Sequence, residues 1–173
     1  MSRIGPEILG RLFDEHAAAL ALYARQWCDA PEDIVQDAFV ALARQDSEPD
    51  RPVAWLYRVV RNGAIASARQ SRRRRRREQR AADREVVPDG SWFAATDDQI
   101  DAEHAARLLA GLDAETREVI VARLWGGLTF EEIARLQGCS LTTAHRRYQA
   151  GLARLHERLE SPWTSITTRT NRT

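Results

Sequence analysis

Lysine is absent from this chain of 173 residues, and all 26 of its basic side chains are arginine. Every cationic contact it makes is therefore a planar fork suited to phosphate and to stacking, although a bias in codon composition would give the same usage. Cysteine is scarce. Cys28 and Cys139 stand far apart, and neither belongs to a metal-ligand spacing, which fits a reducing compartment. The four histidines, His16, His104, His145 and His156, are scattered, and neither a glycine-rich phosphate loop nor a nucleophile elbow is present. The carboxylate pairs Asp33/Asp37 and Asp97/Asp98 have ordinary explanations, a helix face and a cap. The sequence thus predicts no catalysis, no metal and no cofactor. No stretch approaches eighteen apolar residues, and no basic start precedes an apolar run of seven or more. A cytoplasmic protein with no membrane span and no export signal is expected.

What is present is a globular composition, 43% apolar and 29% charged, long enough for one ordinary domain or two small helical ones. The net charge of +1 conceals strong segregation. Residues 1–50 set four arginines against ten carboxylates, for −6, and residues 51–82 set eleven against one, for +10. Residues 83–115 carry −7, residues 116–160 carry +2, and the remaining tail carries +2. Such alternation points to separate surfaces for separate partners, at least one of them a polyanion.

The most informative stretch is TFEEIARLQGCSLTTAHRRYQAGLARLHERLE, residues 129–160. Thr129 precedes Glu132 by three residues, the spacing of a reciprocal capping box. Phe130, Ile133, Ala134 and Leu136 form one stripe, and Gly138 is placed to end the helix in the left-handed conformation. Ser140 can cap a second helix, whose apolar positions Leu141, Ala144, Tyr148, Leu152, Leu155 and Leu159 recur at three and four. Two helices joined so tightly make a helix-turn-helix. On the second helix Thr142, Thr143, His145, Arg146 and Gln149 lie away from the stripe. Arg146 and Gln149 carry donors and acceptors that complement base edges in the major groove. Before Glu157 no carboxylate interrupts this face, which favours an anionic partner. The solvated side of a packing helix is the competing reading.

Towards the N-terminus, Pro6 suits a first helical turn, and Leu9, Leu12, Phe13, Leu20, Tyr23 and Trp27 repeat with helical spacing up to Cys28. A second helix starts at Pro31, with Glu32, Asp33 and Asp37 near its positive end. Ile34, Val35, Ala38, Phe39 and Leu42 would face inward. Asp33, Gln36 and Asp37 then share an outward face, either a solvated one that offsets the helix dipole or a docking surface for a basic partner. After a polar loop at 45–52, a third helix runs from Val53, with Leu56, Val59, Val60, Gly63 and Ala64 for packing. Trp55, Arg58, Asn62 and Arg69, with Arg61 beside them, are the apparatus for single-stranded nucleic acid, where rings and guanidinium planes stack on bases. Alternatively, Trp55 is core and the arginines are solvated. Six consecutive arginines, Arg72 to Arg77, form a run too dense to stabilise itself, calling for a counter-anion. A targeting signal or an RNA-binding arm is the other reading of that run.

Residues 12–77, above all PEDIVQDAFVALAR and RPVAWLYRVVRNGAIASARQSRRR, resemble the second conserved region of bacterial extracytoplasmic-function (ECF) sigma factors. Residues 109–160, with LAGLDAETREVIVARLWGGLTFEEIARLQGCSLTTAHRRYQAGLARL, resemble their fourth region. The resemblance implies an all-α protein of two small helical domains joined by a flexible linker, the C-terminal one a helix-turn-helix. It implies a region 2-like domain over 1–82, an acidic linker over 83–100, a region 4-like domain over 101–160 and a hydroxyl-rich, disordered tail over 161–173. Its partners would be core RNA polymerase and promoter DNA, both duplex and non-template single strand, with an anti-sigma factor as a further candidate. Asp33, Gln36 and Asp37 would face polymerase. Trp55, Arg58, Arg61, Asn62 and Arg69 would capture and open the minus-ten element, with residues 46–51 as the base-pocket loop. In the minus-thirty-five element, His145, Arg146 and Gln149 would meet bases and Thr142, Thr143 and Arg147 phosphates. Ser140, Thr142 and the pair Ala150-Gly151 depart from the family pattern, where proline, glycine and arginines are frequent. A conventional helix-turn-helix regulator is the alternative, but it leaves the N-terminal helices without a job.

Overall fold

The computed structural model describes residues 4–81 and 108–160, and among these the regular structure is entirely helical. Helix α1, Pro6–Ala24, opens with its proline at the first helical position, where no amide is needed. It ends before Trp27, earlier than the apolar repeat suggests, because residues 25–27 turn the chain towards α2. Helix α2 spans Pro31–Ala43, again led by proline and with Glu32 and Asp33 in its first turn. Helix α3 is long, Pro52–Ala81, and does not break at the arginine run. Arginine is a good helix former, which carries the helix through the run despite its charge.

These three helices pack on one another around Leu20, Tyr23, Ala24, Val35, Ala38, Phe39, Leu42, Leu56, Val60 and Ala64. Of the inward faces expected of α2 and α3, Val35, Ala38, Phe39, Leu42, Leu56, Val60 and Ala64 are buried, while Ile34, Val59 and Gly63 are half-buried. Tyr57, adjacent to that stripe, is also fully buried, because a second layer covers it.

That layer is the C-terminal domain. Helix α4, Ala114–Leu124, is capped by Asp113, whose side chain accepts from the Thr116 amide at 2.9 Å. Helix α5, Phe130–Gln137, carries the full capping box, with Glu132 N–H donating to Thr129 Oγ1 and Thr129 N–H donating to Glu132 Oε2. Gly138 ends it at φ 66°, a left-handed conformation that costs other residues more. Ser140 Oγ accepts from the Thr143 amide at 3.1 Å and starts α6, Leu141–Glu160. The helix-turn-helix expected from the spacing is thus present with both of its caps.

Helix α6 crosses α4 closely at Gly151, where an added Cβ would sit 2.8 Å from Thr116 and 2.9 Å from Ile120. This explains a glycine where the family pattern has arginine. Two positions assigned to the apolar stripe of α6 differ from expectation: Leu141 is 48% and Leu159 61% exposed. They lie at the ends of the helix, beyond the reach of α4 and α5. The linker with Trp92, Phe93, Asp97 and Asp98, and the tail with Trp163, fall outside the described residues.

Candidate docking and nucleic-acid interfaces

Three faces identified in the sequence can now be located. On α2, Asp33, Gln36 and Asp37 are all exposed. Val40, one turn on, extends this face as a 47% exposed apolar residue. The sequence reading passed over Val40; an apolar residue at i+3 from Asp37 and i+7 from Asp33 was the available signal. Beside the face, a hydrogen bond from Arg25 at 2.9 Å holds the Glu32 carboxyl below its ordinary range.

On α6, Thr142, His145, Arg146 and Gln149 are exposed, as a groove-reading face requires. The His145 ring stands edge-on to Phe130 at 5.0 Å, so α5 orients it. Thr143 and Arg147 are less free. The Thr143 hydroxyl lies 2.8 Å from Ser140 Oγ, within the cap. Arg147 donates to Gln137 Oε1 at 2.8 Å and pairs with Glu115, bracing α6 against its neighbours.

The α3 face is divided. Arg58, Asn62 and Arg69 are exposed, whereas Trp55 is half-buried and packed against the core. Arg61 turns away from solvent into the seam between the domains. Its Nε donates to Glu118 Oε1 at 2.7 Å, and its guanidinium lies 5.9 Å over the Trp27 ring.

Glu118, on α4, is only 3% exposed and is the centre of that seam. Tyr23 Oη donates to the same Oε1 at 2.5 Å, and Gln137 Nε2 donates to Oε2 at 3.0 Å. One carboxylate therefore joins α1, α3, α4 and α5. Burial would lower the Arg61 pKa, but the hydrogen bond and charge of Glu118 outweigh it and raise it. Burial first, then the charge and hydrogen bond of Glu118, push the Tyr23 phenol well above its ordinary range. The seam has two further links. Arg51 pairs with Glu132 Oε1 at 2.9 Å, using the capping-box oxygen that the Thr129 amide does not occupy. Tyr57 meets Gly126, where a Cβ would stand 2.6 Å from the ring.

Next to this seam is an open cleft of about 300 Å³. Asp50, Arg51, Trp55 and Arg58 form one wall, and Glu132, Arg135 and Leu136 of α5 form the other. The loop and aromatic face expected to take single-stranded DNA thus confront the first helix of the helix-turn-helix. Nothing in local spacing announced Glu118. The nearest signal was the run Val119-Ile120-Val121-Ala122, which makes α4 apolar on several sides and hence sandwiched. Among the described residues no cluster of side chains suited to a metal occurs, and no helix is long and apolar enough to cross a membrane.

Residues 12–76 match the model for sigma-70 region 2, and residues 104–155 match the model for sigma-70 region 4. RNA polymerase sigma factor CnrH of Cupriavidus metallidurans is 34% identical over 169 residues, covering 88% of this chain and 86% of its own. Among solved structures, the sigma factor RpoE of Bartonella quintana, in complex with the anti-sigma factor NepR, superposes with a TM-score of 0.65 at 27% identity. That match covers 91% of this chain and 99% of the other. CnrH in complex with the cytosolic domain of CnrY gives 0.59 at 27% identity, over 90% of this chain and 89% of that one.

Proposed function

The chain belongs to the ECF sigma factors, the initiation subunits that direct bacterial RNA polymerase to promoters, and from that membership we propose how its surfaces divide the work. Residues 1–82 form the unit that docks on core polymerase and opens the minus-ten element. Residues 83–100 link it to the unit at 101–160, which reads the minus-thirty-five element. Asp33, Gln36 and Asp37 on α2 meet a basic surface of core polymerase. Trp55, Arg58, Asn62 and Arg69, with Arg61 once it is released from Glu118, hold the non-template strand by stacking and by charge. Arg146 and Gln149 read base edges in the duplex with His145 beside them, while Thr142, Thr143 and Arg147 contact phosphates. The protein works in the cytoplasm, where polymerase is, and carries no catalysis of its own. An anti-sigma factor is a further partner, as in the complexes with NepR and CnrY.

One observation carries the reading: a chain matching both regions in order exposes an acidic face on α2 and a carboxylate-free recognition face on α6. The test is co-elution with core RNA polymerase, followed by transcription from a pool of promoter-like templates. Wild type is expected to bind core and select templates. The Asp33→Arg/Asp37→Arg double variant should stay folded by circular dichroism and lose both. Full activity of that folded variant would refute the docking assignment, and tight duplex binding without core binding would favour a conventional regulator.

A further inference from the structure

We propose that Arg72 to Arg77, in the last turns of α3, are a sequence-independent binding site for duplex DNA, seated in the major groove and working without polymerase. The run has no place in the core. Among the described side chains, Ala64 is the last buried one of α3 and Ala68 the last half-buried one. From Arg69 to Arg77 every residue is exposed and none is apolar, over about 13 Å of helix. Even Arg75, whose guanidinium lies 3.4 Å from the Asp29 carboxylate, keeps 57% of its side chain exposed. Arg72, Arg73, Arg76 and Arg77 make no ion pair with another described residue. Compensation of the helix dipole accounts for a cation or two near the C-terminus of α3, not for six in a row. Arginines three and four positions apart on a helix also repel one another, and an external polyanion removes that repulsion.

The helical form of the run selects the polyanion. Adjacent helical positions step round the axis by about 100°, so Arg72 to Arg77 reach every side of α3. A single strand or an anionic membrane surface presents its charge on one side and would be met by one stripe. A helix charged all round suits a groove with phosphates on both walls. The major groove of B-form DNA, about 12 Å wide, admits such a helix, whereas that of A-form RNA is too deep and narrow. Arginines on every side fix no register against base edges, so binding draws on phosphates and on the counterions they release. The consequence is retention on any DNA. A protein held in this way slides and hops along the duplex, and α6 meets candidate sites before polymerase is bound.

The probe is a fluorescein-labelled duplex without promoter-like sequence, titrated with the full chain and read by anisotropy from about 50 to about 200 mM salt. It is compared in wild type and in Arg72→Gln/Arg73→Gln/Arg76→Gln/Arg77→Gln. Glutamine keeps the helix propensity, and circular dichroism checks that the fold is retained. Each phosphate contact contributes about 0.9 to the slope of log affinity against log salt, so losing four lowers it by about 3 to 4. Over that range wild type should therefore lose about a hundredfold more affinity than the variant. Arg72→Lys/Arg73→Lys/Arg76→Lys/Arg77→Lys should restore most of the slope; its failure to do so would overturn a site built on charge. A folded glutamine variant with wild-type affinity and slope would overturn the proposal outright. A loss as large for single-stranded DNA or duplex RNA would remove the groove seating, since either would put the run on a different polyanion. The loss should be equal on promoter and promoter-free duplexes. If it were confined to promoter sequence, the run would belong to promoter recognition and its independence of sequence would be refuted.

Discussion

Glu118 and Gly151 show how single residues decide what whole helices do. Glu118 sits among Thr116, Val119, Ile120, Val121 and Ala122, all buried, and is tolerated there because three donors satisfy its two oxygens. Gly151 works by having nothing to add: α4 and α6 touch through the space its side chain would fill. Gly151→Val should therefore destabilise the protein by about 1–3 kcal/mol through overpacking, even though glycine is the poorer helix former. Urea unfolding followed by circular dichroism checks this; unchanged stability would mean that α4 can move away at no cost. Neither residue was legible as such in the sequence, because burial on every side and close helix approach belong to pairs of elements.

Elements, by contrast, were largely readable. The prolines that open α1 and α2, the Asp113 cap, the capping box of α5, Gly138 and the Ser140 cap are local devices, and a stretch of four to six residues contains the whole of each. Removing one has a local cost. Ser140→Ala should lower stability by about 0.5–2 kcal/mol and weaken duplex binding by fraying the first turn of α6, which carries Thr142 and Thr143. A thermal melt and a duplex titration measure the two effects. Undiminished stability would mean that α6 is held by packing alone. Element ends were less readable where charge was involved: α3 runs on through Arg72–Arg77 because the intrinsic helix propensity of arginine supports it.

At the scale of the whole molecule, the seam makes stability depend on pH at the alkaline end. Burial, with help from Glu118, raises the Tyr23 phenol, and burial raises that of Tyr57. In the unfolded chain both would ionise at about pH 10. The folded state therefore retains protons that the unfolded state sheds, and the stabilisation is fully present below that pH and lost as pH rises beyond it. The urea midpoint should fall from about pH 10 upward, and Tyr23→Phe should flatten the fall. An equally steep fall in Tyr23→Phe would mean that the seam phenol takes no part.

The sequence by itself determined the helices, their caps, the order of the two domains, the family, and which faces of α2 and α6 lie outward, because each follows from periodicity or from interactions within one or two turns. It could not decide which outward faces remain outward once the domains meet. Arg61 and Trp55 sit on the same helix as Arg58 and Asn62 and, by spacing, share their prospects. Only the tertiary structure sends Arg61 to a carboxylate 57 positions away in the chain and brings α5 opposite Trp55. The physical reason is range. A capping hydroxyl meets its amide wherever the helix forms, whereas the Glu118 contacts exist only after two separately encoded domains have buried one carboxylate between them.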